Sequence, residues 1–441
     1  MGSGLLALPL DILHTIAVEL DAPSILNLAQ TCRVLHAYVL TADYIWHRLH
    51  NSNPLPLNIE PYADVAQMPA AACKAATCHA LRVDQNWRRV NPSIRQMTRI
   101  PDMDNVSQMQ LIGSSLLVVL RRFPASISIW RVTHKRAQRV AFLDLPDASV
   151  PLKFAATIQN DEVLVALISA MKSGAQLTAY SVALSDETSF SPAALKQACN
   201  IVSKDSVFYE VHVYAHLIAV GIHSTTNPRI MLVNALTRAQ CTMNPHLPEG
   251  VTQLHLKLVG GATCQLVLTG ILNQSLLIRV HDLPEDGVND LASPCTEYRS
   301  PVITDFADYT LCVDSTHPFK QISALSFHTL TSRAPDDYYL RFPKEKACIV
   351  HRFATHTSAS AEIVCLGETG TRAVWLERRW ANDQYTLMKA VFGAEEWSVQ
   401  PLLGRHLALP FELEKCQCLA FDEATGQVSI AFHREIYVLG F

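Results

Sequence analysis

The chain has 441 residues, 49% hydrophobic and 17% charged, with a formal net charge of −4. It is too long for one ordinary core and too apolar for disorder; at about 150 residues per domain it suggests three domains, although a repetitive β fold absorbs a longer stretch as one unit. The weak negative balance argues against a dedicated nucleic-acid binder, and no apolar run reaches the roughly 18 residues that a membrane-spanning helix needs. The apolar runs at 111–120 and 163–171 read as buried strands.

The N-terminal stretch is apolar, but no Lys or Arg precedes Asp11. A secretory leader needs a positive start and a small-residue cleavage site, so the expected location is the cytoplasm and/or the nucleus. The twelve cysteines are scattered, and neither Cys73 with Cys78 nor Cys416 with Cys418 forms the C-x-x-C of a zinc knuckle. They read as buried free thiols.

Residues 1–50 are patterned for helices. Pro9 suits a first helical turn and Asp11 the positive end of the helix dipole. Ile12, Leu13, Ile16, Ala17 and Leu20 then form one apolar stripe. The pattern restarts after Asp21-Ala22-Pro23-Ser24, where Asp21 or Ser24 can cap a second helix carrying Ile25, Leu28, Ala29, Cys32, Leu35 and Val39. A third short helix holds Tyr44, Ile45, Trp46 and Leu49. Three short helices bury little surface, and Leu5, Leu6, Leu8 and Ile12 are more apolar surface than they can cover, which marks an interaction site.

Leu8-Pro-x-Asp-Ile-Leu, then Ile25-Leu-x-Leu-Ala-x-x-Cys-Arg33, then Tyr44-Ile-Trp46-x-x-Leu49 resembles an F-box over about 45 residues. Leu35-His36 stands where many members carry Trp or Phe. The resemblance implies binding to the small Skp-type adaptor of a cullin–RING ubiquitin ligase. Leu8, Pro9, Ile12 and Leu13 would sit at that interface, and Leu28, Cys32 and Trp46 would support the same adaptor-binding unit by packing its three helices.

Residues 51–94 read as a connector. Pro54, Pro56, Pro61 and Pro69 interrupt regular structure, and 70–81 is a good helix former that ends near Asp84-Gln-Asn-Trp87-Arg88-Arg89. A helix ending in Asn-Trp-Arg resembles the junction of F-box proteins that carry WD-repeat propellers.

From 95 to 441 the period becomes that of strands. Pairs are expected at 116–120 with 126–132, 163–168 with 176–182, 217–221 with 229–234, 266–270 with 275–281, 322–327 with 337–342, 363–367 with 371–377, and 418–422 with 426–432. A last strand follows at 435–441. A β period near 50 is the signature of a propeller blade and predicts roughly seven blades; a pair of β-sandwiches is the other arrangement considered. The pattern resembles a degenerate WD-repeat propeller, with Trp130 and Trp375 in the place of the Trp that ends a third strand. The Gly-His and Trp-Asp dipeptides of the motif are absent. The fold class is thus mainly β with an N-terminal α unit: a three-helix F-box, a helical linker and a propeller.

Chemistry is sparse. The turns at 367–371 and 422–426 read as hairpin loops with Gly in a left-handed position. No phosphate loop, dinucleotide fingerprint, G-x-S-x-G elbow or H-E-x-x-H helix occurs, so no cofactor, metal or catalytic residue is assigned. His212 and His216, four apart in one strand-like run, would share a face but lack further metal ligands. From 82 to 139 eleven basic residues face three aspartates, a net of +8. This is either a solvated face or an arginine patch, with Arg88, Arg89, Arg121 and Arg122 as its candidates, that takes an acidic or phosphorylated partner. The expected function is non-enzymatic: recognition of a protein substrate for a ubiquitin ligase. A scaffold outside a ligase and an enzyme with a central active site are the alternatives.

Overall fold

The computed structural model describes residues 8–52, 55–59 and 68–441, the last stretch without 114, 134–135, 147, 160, 185–192, 205, 224–227, 260–263, 274, 284–294, 300–308, 314–320, 330–337, 342–346, 356–358, 369–370, 393–396 and 405–408. Leu5, Leu6, Pro54 and Pro61 lie outside the described residues.

Four short helices come first: α1 (Leu10–Glu19), α2 (Ala22–Thr31), α3 (Arg33–Thr41) and α4 (Asp43–Ser52). Pro9 precedes α1, and Asp21 caps α2 by accepting a 2.9 Å bond from the Ser24 backbone N–H. The single second helix expected from the apolar stripe is split. Cys32 is extended (φ −158, ψ 165), and the Thr31 hydroxyl takes the Leu28 carbonyl at 2.7 Å, competing with continued helical bonding. The break re-aims α3, so that Leu35 and Val39 are still buried while Leu28 and Cys32 are partly exposed.

α5 (Ala70–Trp87) follows, 18 residues long and so about 27 Å. Its first turns enter the core of the helical unit, where Ala70 and Cys73 pack with Ile25, Val39, Ile45 and Trp46. Its last turn enters another core, where Val83 and Trp87 pack with Leu419, Val428, Leu439 and Phe441.

The remainder is a β-propeller. After β1 (Gln96–Pro101), blade 1 holds β2 (Val106–Ile112), β3 (Leu116–Arg122), β4 (Ala125–Val132) and β5 (Ala137–Asp144). Blade 2 holds β6 (Ser149–Gln159), β7 (Glu162–Met171) and β8 (Gly174–Ala183); the chain then leaves it as β9 (Ala193–Ala194), which pairs back onto β5, and returns as β10 (Lys196–Lys204). Blade 3 is β11 (Val207–Tyr214), β12 (Leu217–His223), β13 (Arg229–Asn234) and β14 (Gln240–Met243), and blade 4 is β15 (Thr252–Val259), β16 (Gln265–Leu272), β17 (Ser275–Asp282) and β18 (Cys295–Arg299). Blade 5 comprises β19 (Tyr309–Val313), β20 (Gln321–Thr329), β21 (Tyr338–Arg341) and β22 (Ala347–Thr355). Blade 6 comprises β23 (Ala359–Leu366), β24 (Arg372–Arg379), β25 (Gln384–Phe392) and β26 (Trp397–Pro401). Blade 7 is β27 (Cys418–Asp422), β28 (Gln427–Ala431) and β29 (Glu435–Gly440), completed by β1 in antiparallel register from Gln96 against Gly440 to Pro101 against Glu435.

Among the described residues there are thus seven sheets, and the first strands of successive blades lie side by side around a closed ring, β27 returning to β2. Five sheets are antiparallel throughout, and blade 1 is so except for the short β9, which pairs in parallel at its edge. Blade 5 departs further: β20 pairs with β22 in parallel, leaving β21 at the edge, so the expected pairing of 322–327 with 337–342 is not the one formed. The pair of β-sandwiches is excluded by the ring.

The sequence phasing is corrected in two blades. The expected pairs at 116, 163, 217 and 266 are second and third strands, whereas those at 363 and 418 are first and second strands. Trp375 accordingly lies on a second strand, while Trp130 is on the third strand of its blade. In blades 1 to 4 the first strand is interrupted by a bulge and polar residues, which hides it among the apolar runs; in blades 6 and 7 it reads as apolar.

α5 docks where the β27–β28 turn comes up. Gly426 has φ +67, and a Cβ there would lie 2.8 Å from both Trp87 Nε1 and Val83 Cγ1, so only glycine admits the helix. Trp87 is fully buried against Phe421 and Phe441. Around it lies a buried polar joint. Asp84 receives Arg372 Nη2 at 3.1 Å, and Arg372 Nη1 donates to the Glu423 carbonyl at 2.9 Å. Glu423 Oε1 accepts the Thr371 N–H at 2.8 Å. Lys389 donates to the carbonyls of Trp87 and Arg89, capping the negative end of α5; burial pushes its pKa down to about 8. Asn86 holds the exit loop through both directions of bonding with the Ser93 backbone, 2.9 and 3.0 Å.

Two substitutions test this joint by denaturant unfolding. Trp87→Ala should cost about 3–5 kcal/mol by emptying a filled site. Gly426→Val should separate α5 from the propeller, seen as increased proteolysis between 68 and 95 while the strands keep their circular dichroism.

Candidate functional site

The helical unit buries Ile25, Val39, Ile45, Trp46 and Leu49 with several alanines, and leaves a second set of aliphatic side chains outside. Trp46 is fully buried and its Nε1 donates to the Val39 carbonyl at 2.8 Å, so it organises the unit and is not itself a contact surface. Leu8, Leu10 and Ile12 before and within α1 are exposed, as are Val34 and Leu40 on α3 and Tyr44 on α4. Pro9 is exposed and Leu13 partly so. A polar knot ties these helices together: Tyr38 Oη lies 2.7 Å from His14 Nδ1 and 3.0 Å from Tyr44 Oη, and His14 also bonds to Tyr44. Partial burial, and then the bond with Tyr44, raise the Tyr38 pKa above the ordinary phenol value. Leu10 shares a face with His14, and Val34 with Tyr38, because four residues return a helix to the same side. Leu10 and Val34 thus each stand one turn from a member of the knot, and Tyr44 belongs to it. The sequence pattern identified Leu8, Pro9 and Ile12 as interface candidates but not Leu10, Val34 or Leu40; their signal was an aliphatic residue off the core stripe.

The arginine candidates are not brought together. Arg88 and Arg89 follow α5 at the linker end of the propeller, the end that also carries Gly426 and Phe441. Arg121 and Arg122 end β3 at the far end, opposite Val106 and next to the Phe123–Pro124 hairpin. The strands between span on the order of 20 Å. Arg88 is paired with Asp84 at 2.7 Å, and Arg121 Nε donates to Ser126 Oγ at 2.8 Å. Arg122 is exposed, next to Phe123, and the same end also carries Arg434 and, on the blade 6 hairpin, Trp380. The +8 segment is therefore divided between two ends and does not form one patch.

Around the propeller axis the first strands of five blades are bulged at corresponding places, each followed by Gln108, Lys153, Glu210, His255 or Val364. A bulge re-aims the next side chain, here across to the neighbouring blade. Lys153 Nζ pairs with Glu210 at 2.6 Å, and His255 Nδ1 lies 3.3 Å from Glu210 Oε2. Burial alone raises the Glu210 pKa, but the His255 bond and the Lys153 charge outweigh it and hold the carboxylate below its usual range. His212 Nδ1 accepts the Leu258 N–H at 3.3 Å. His216 does not share its strand: β11 ends at Tyr214, and the left-handed Ala215 starts a turn. Among the described residues no group of His, Cys, Asp and Glu is arranged to hold a metal.

Residues 5–52 match the F-box-like family. No curated protein matches the chain. Solved structures similar to it include a structural-genomics protein of unknown function from Bacteroides thetaiotaomicron (12% identity, 77% of this chain and 70% of that one, TM-score 0.38). Others are a functionally unknown protein from Desulfotomaculum acetoxidans (13%, 72% and 89%, 0.40) and the β-propeller domain of the Trilobed protease from Pyrococcus furiosus (10%, 66% and 83%, 0.38). The chain carries an F-box-like domain at its N-terminus and a β-propeller in the remainder. No described helix is long and apolar enough to cross a membrane.

The His212 ring sets a pH dependence. Burial first, then the Lys257 charge, hold its pKa down to about 3. The unfolded chain therefore takes up this proton first, and the stability that the neutral ring contributes is complete above about pH 6.5 and lost as pH falls toward 3. Unfolding free energy should drop by of order 1–2 kcal/mol between pH 7 and 5, and His212→Gln should flatten that drop in urea titrations at the two pH values.

Proposed function

We propose that this chain is the substrate-recognition subunit of an SCF-type cullin–RING ubiquitin ligase. Its F-box-like helices bind a Skp-type adaptor, and its propeller binds a protein substrate. The chain itself carries no catalysis; it raises the effective concentration of substrate at subunits that do the chemistry. The observation that carries this reading is the set of uncovered aliphatic side chains, Leu8, Leu10, Ile12 and Val34, within the segment that matches the F-box-like family. F-box domains bind Skp-type adaptors, and an apolar surface of this kind is what such a partner covers.

The substrate surface is assigned to the far end of the propeller, where Arg122, Phe123 and Trp380 are exposed away from α5. Aromatic and arginine side chains are the usual anchors of protein contacts. The Lys153–Glu210–His255 cluster is the constellation that an enzyme reading would use. Its Lys and carboxylate neutralise one another in the direction of a blade-to-blade tie, so we assign it to structure.

The full-length chain should retain a Skp-type adaptor in a pull-down, and Leu8→Asp/Ile12→Asp should lose at least tenfold in affinity with the melting temperature unchanged. Failure of the wild type to bind removes the adaptor reading, and equal binding by the variant removes the assigned surface. Arg122→Glu and Trp380→Ala should reduce the proteins marked in proximity labelling without reducing adaptor binding.

A further inference from the structure

β10 is the outer edge of blade 2, nine residues long, and pairs only with β8 among the described strands. An edge of that length presents a row of backbone donors and acceptors that another strand can satisfy. On the neighbouring blade the chain supplies such a strand itself: β9 runs parallel to β5, Ala193 against Ala141 and Ala194 against Phe142. No described strand does the same for β10.

Beside this edge lies a groove of about 380 Å³, between β10 and the outer part of blade 3. β14, the outermost strand of blade 3, has only four residues, and its Gln240 lines the groove. Ala198 and Ile201 give it apolar surface over the buried Cys199 and Val233, and Gln197, Arg238 and Gln240 add polar groups. Arg238 stands on a left-handed turn residue (φ 60) whose backbone N–H is fixed to the Asn234 carbonyl at 2.8 Å, and among the described residues its guanidinium has no ion-pair partner. The other charges of β10 are Lys196 and Lys204 at its two ends.

We propose that this groove takes an extended, acidic segment of a partner protein, which adds to β10 as a further strand and sets a carboxylate on Arg238. The backbone edge recognises the extended form, the apolar surface takes alternate side chains, and the Arg238 guanidinium selects the charge. The wall from Gln197 to Ile201 corresponds to about five residues of strand, about 17 Å. A second copy of the chain fits less well: antiparallel pairing of β10 with itself sets Lys196 against Lys204, like charge against like. The proposal does not rest on the adaptor reading, since the groove lies on the propeller rim, away from both the helical unit and the far end.

The probe is a displayed library of random nine-residue peptides selected on the full-length protein, with the enriched peptides then measured by fluorescence polarisation. Acidic peptides should be enriched, should lose at least tenfold in affinity on Arg238→Glu, and should regain it on that variant when their acidic residue is exchanged for Lys. Hydrogen exchange on the peptide-bound wild type should slow at 196–204. Arg238 is exposed, so the variant should fold as the wild type does, and its melting temperature checks this. Absence of enrichment overturns the proposal, as does equal binding to Arg238→Glu or protection confined to the hairpins around 123 and 380.

Discussion

α5 belongs to two cores at once, and the remaining architecture depends on that. Ala70 and Cys73 complete a helical unit whose four short helices have little interior of their own, while Trp87 fills a site among blades 6 and 7. A helix cannot bend freely between its ends without breaking backbone bonds. The buried joint removes the remaining freedom. Lys389 ties down the last carbonyls, Arg372 holds Asp84 and Glu423 together, and Gly426 lets the indole lie on the turn. Burying these charges is costly by itself, and breaking one partner away leaves the other uncompensated. The joint therefore specifies one arrangement more than it adds stability.

The propeller solves a second problem near its axis. First strands of adjacent blades are not bonded through their backbones, since each belongs to its own sheet. Side chains make the connection instead. Gln108 donates to and accepts from the Phe154 backbone at 2.8 and 2.9 Å, and Gln110 does the same at Ala156, so each primary amide acts as a peptide group on the next blade. Lys153 continues the ring as an ion pair with Glu210, His255 as a ring nitrogen 3.3 Å from the same carboxylate, His212 as an imidazole acceptor, and Cys365 as a thiol 3.6 Å from the Leu419 carbonyl. The bulges earlier in these strands are what aim the residues across.

These two features explain what was legible in the sequence. The helical unit could be read because its signals are local: Pro9, the Asp21 cap and the stripe through Ile25 and Val39 lie within a few turns of one another. Second and third strands could be read because they are continuous apolar runs. First strands could not, because the polar residues that tie the blades together break their pattern. The phasing slipped in blades 6 and 7, where Ile363 to Leu366 and Cys418 to Phe421 read as apolar. The split at Cys32 was hidden because the apolar stripe continues across a backbone change. The joint left no local signal at all, since Asp84 and Arg372 are 288 residues apart. Asn86-Trp87-Arg88 was visible only as a resemblance, and each of its residues proves to hold the junction.

The division of charge follows from the same geometry. β1 starts at the linker end, where α5 delivers the chain, and finishes at the far end against Glu435. A basic segment that crosses from one end to the other cannot concentrate its charge, and it deposits Arg88 and Arg89 beside the joint and Arg121 and Arg122 beyond the strands. In the first pair Arg88 bonds to Asp84 and the Arg89 carbonyl accepts from Lys389, so both serve the junction. The second stands where no helix packs, next to Phe123. On the proposed reading, the rigid α5 then fixes the distance and angle between an adaptor held at Leu8–Ile12 and a substrate held at Arg122. A flexible connector would let the substrate sample many positions and dilute its effective concentration, whereas a helix locked into both cores holds it at one.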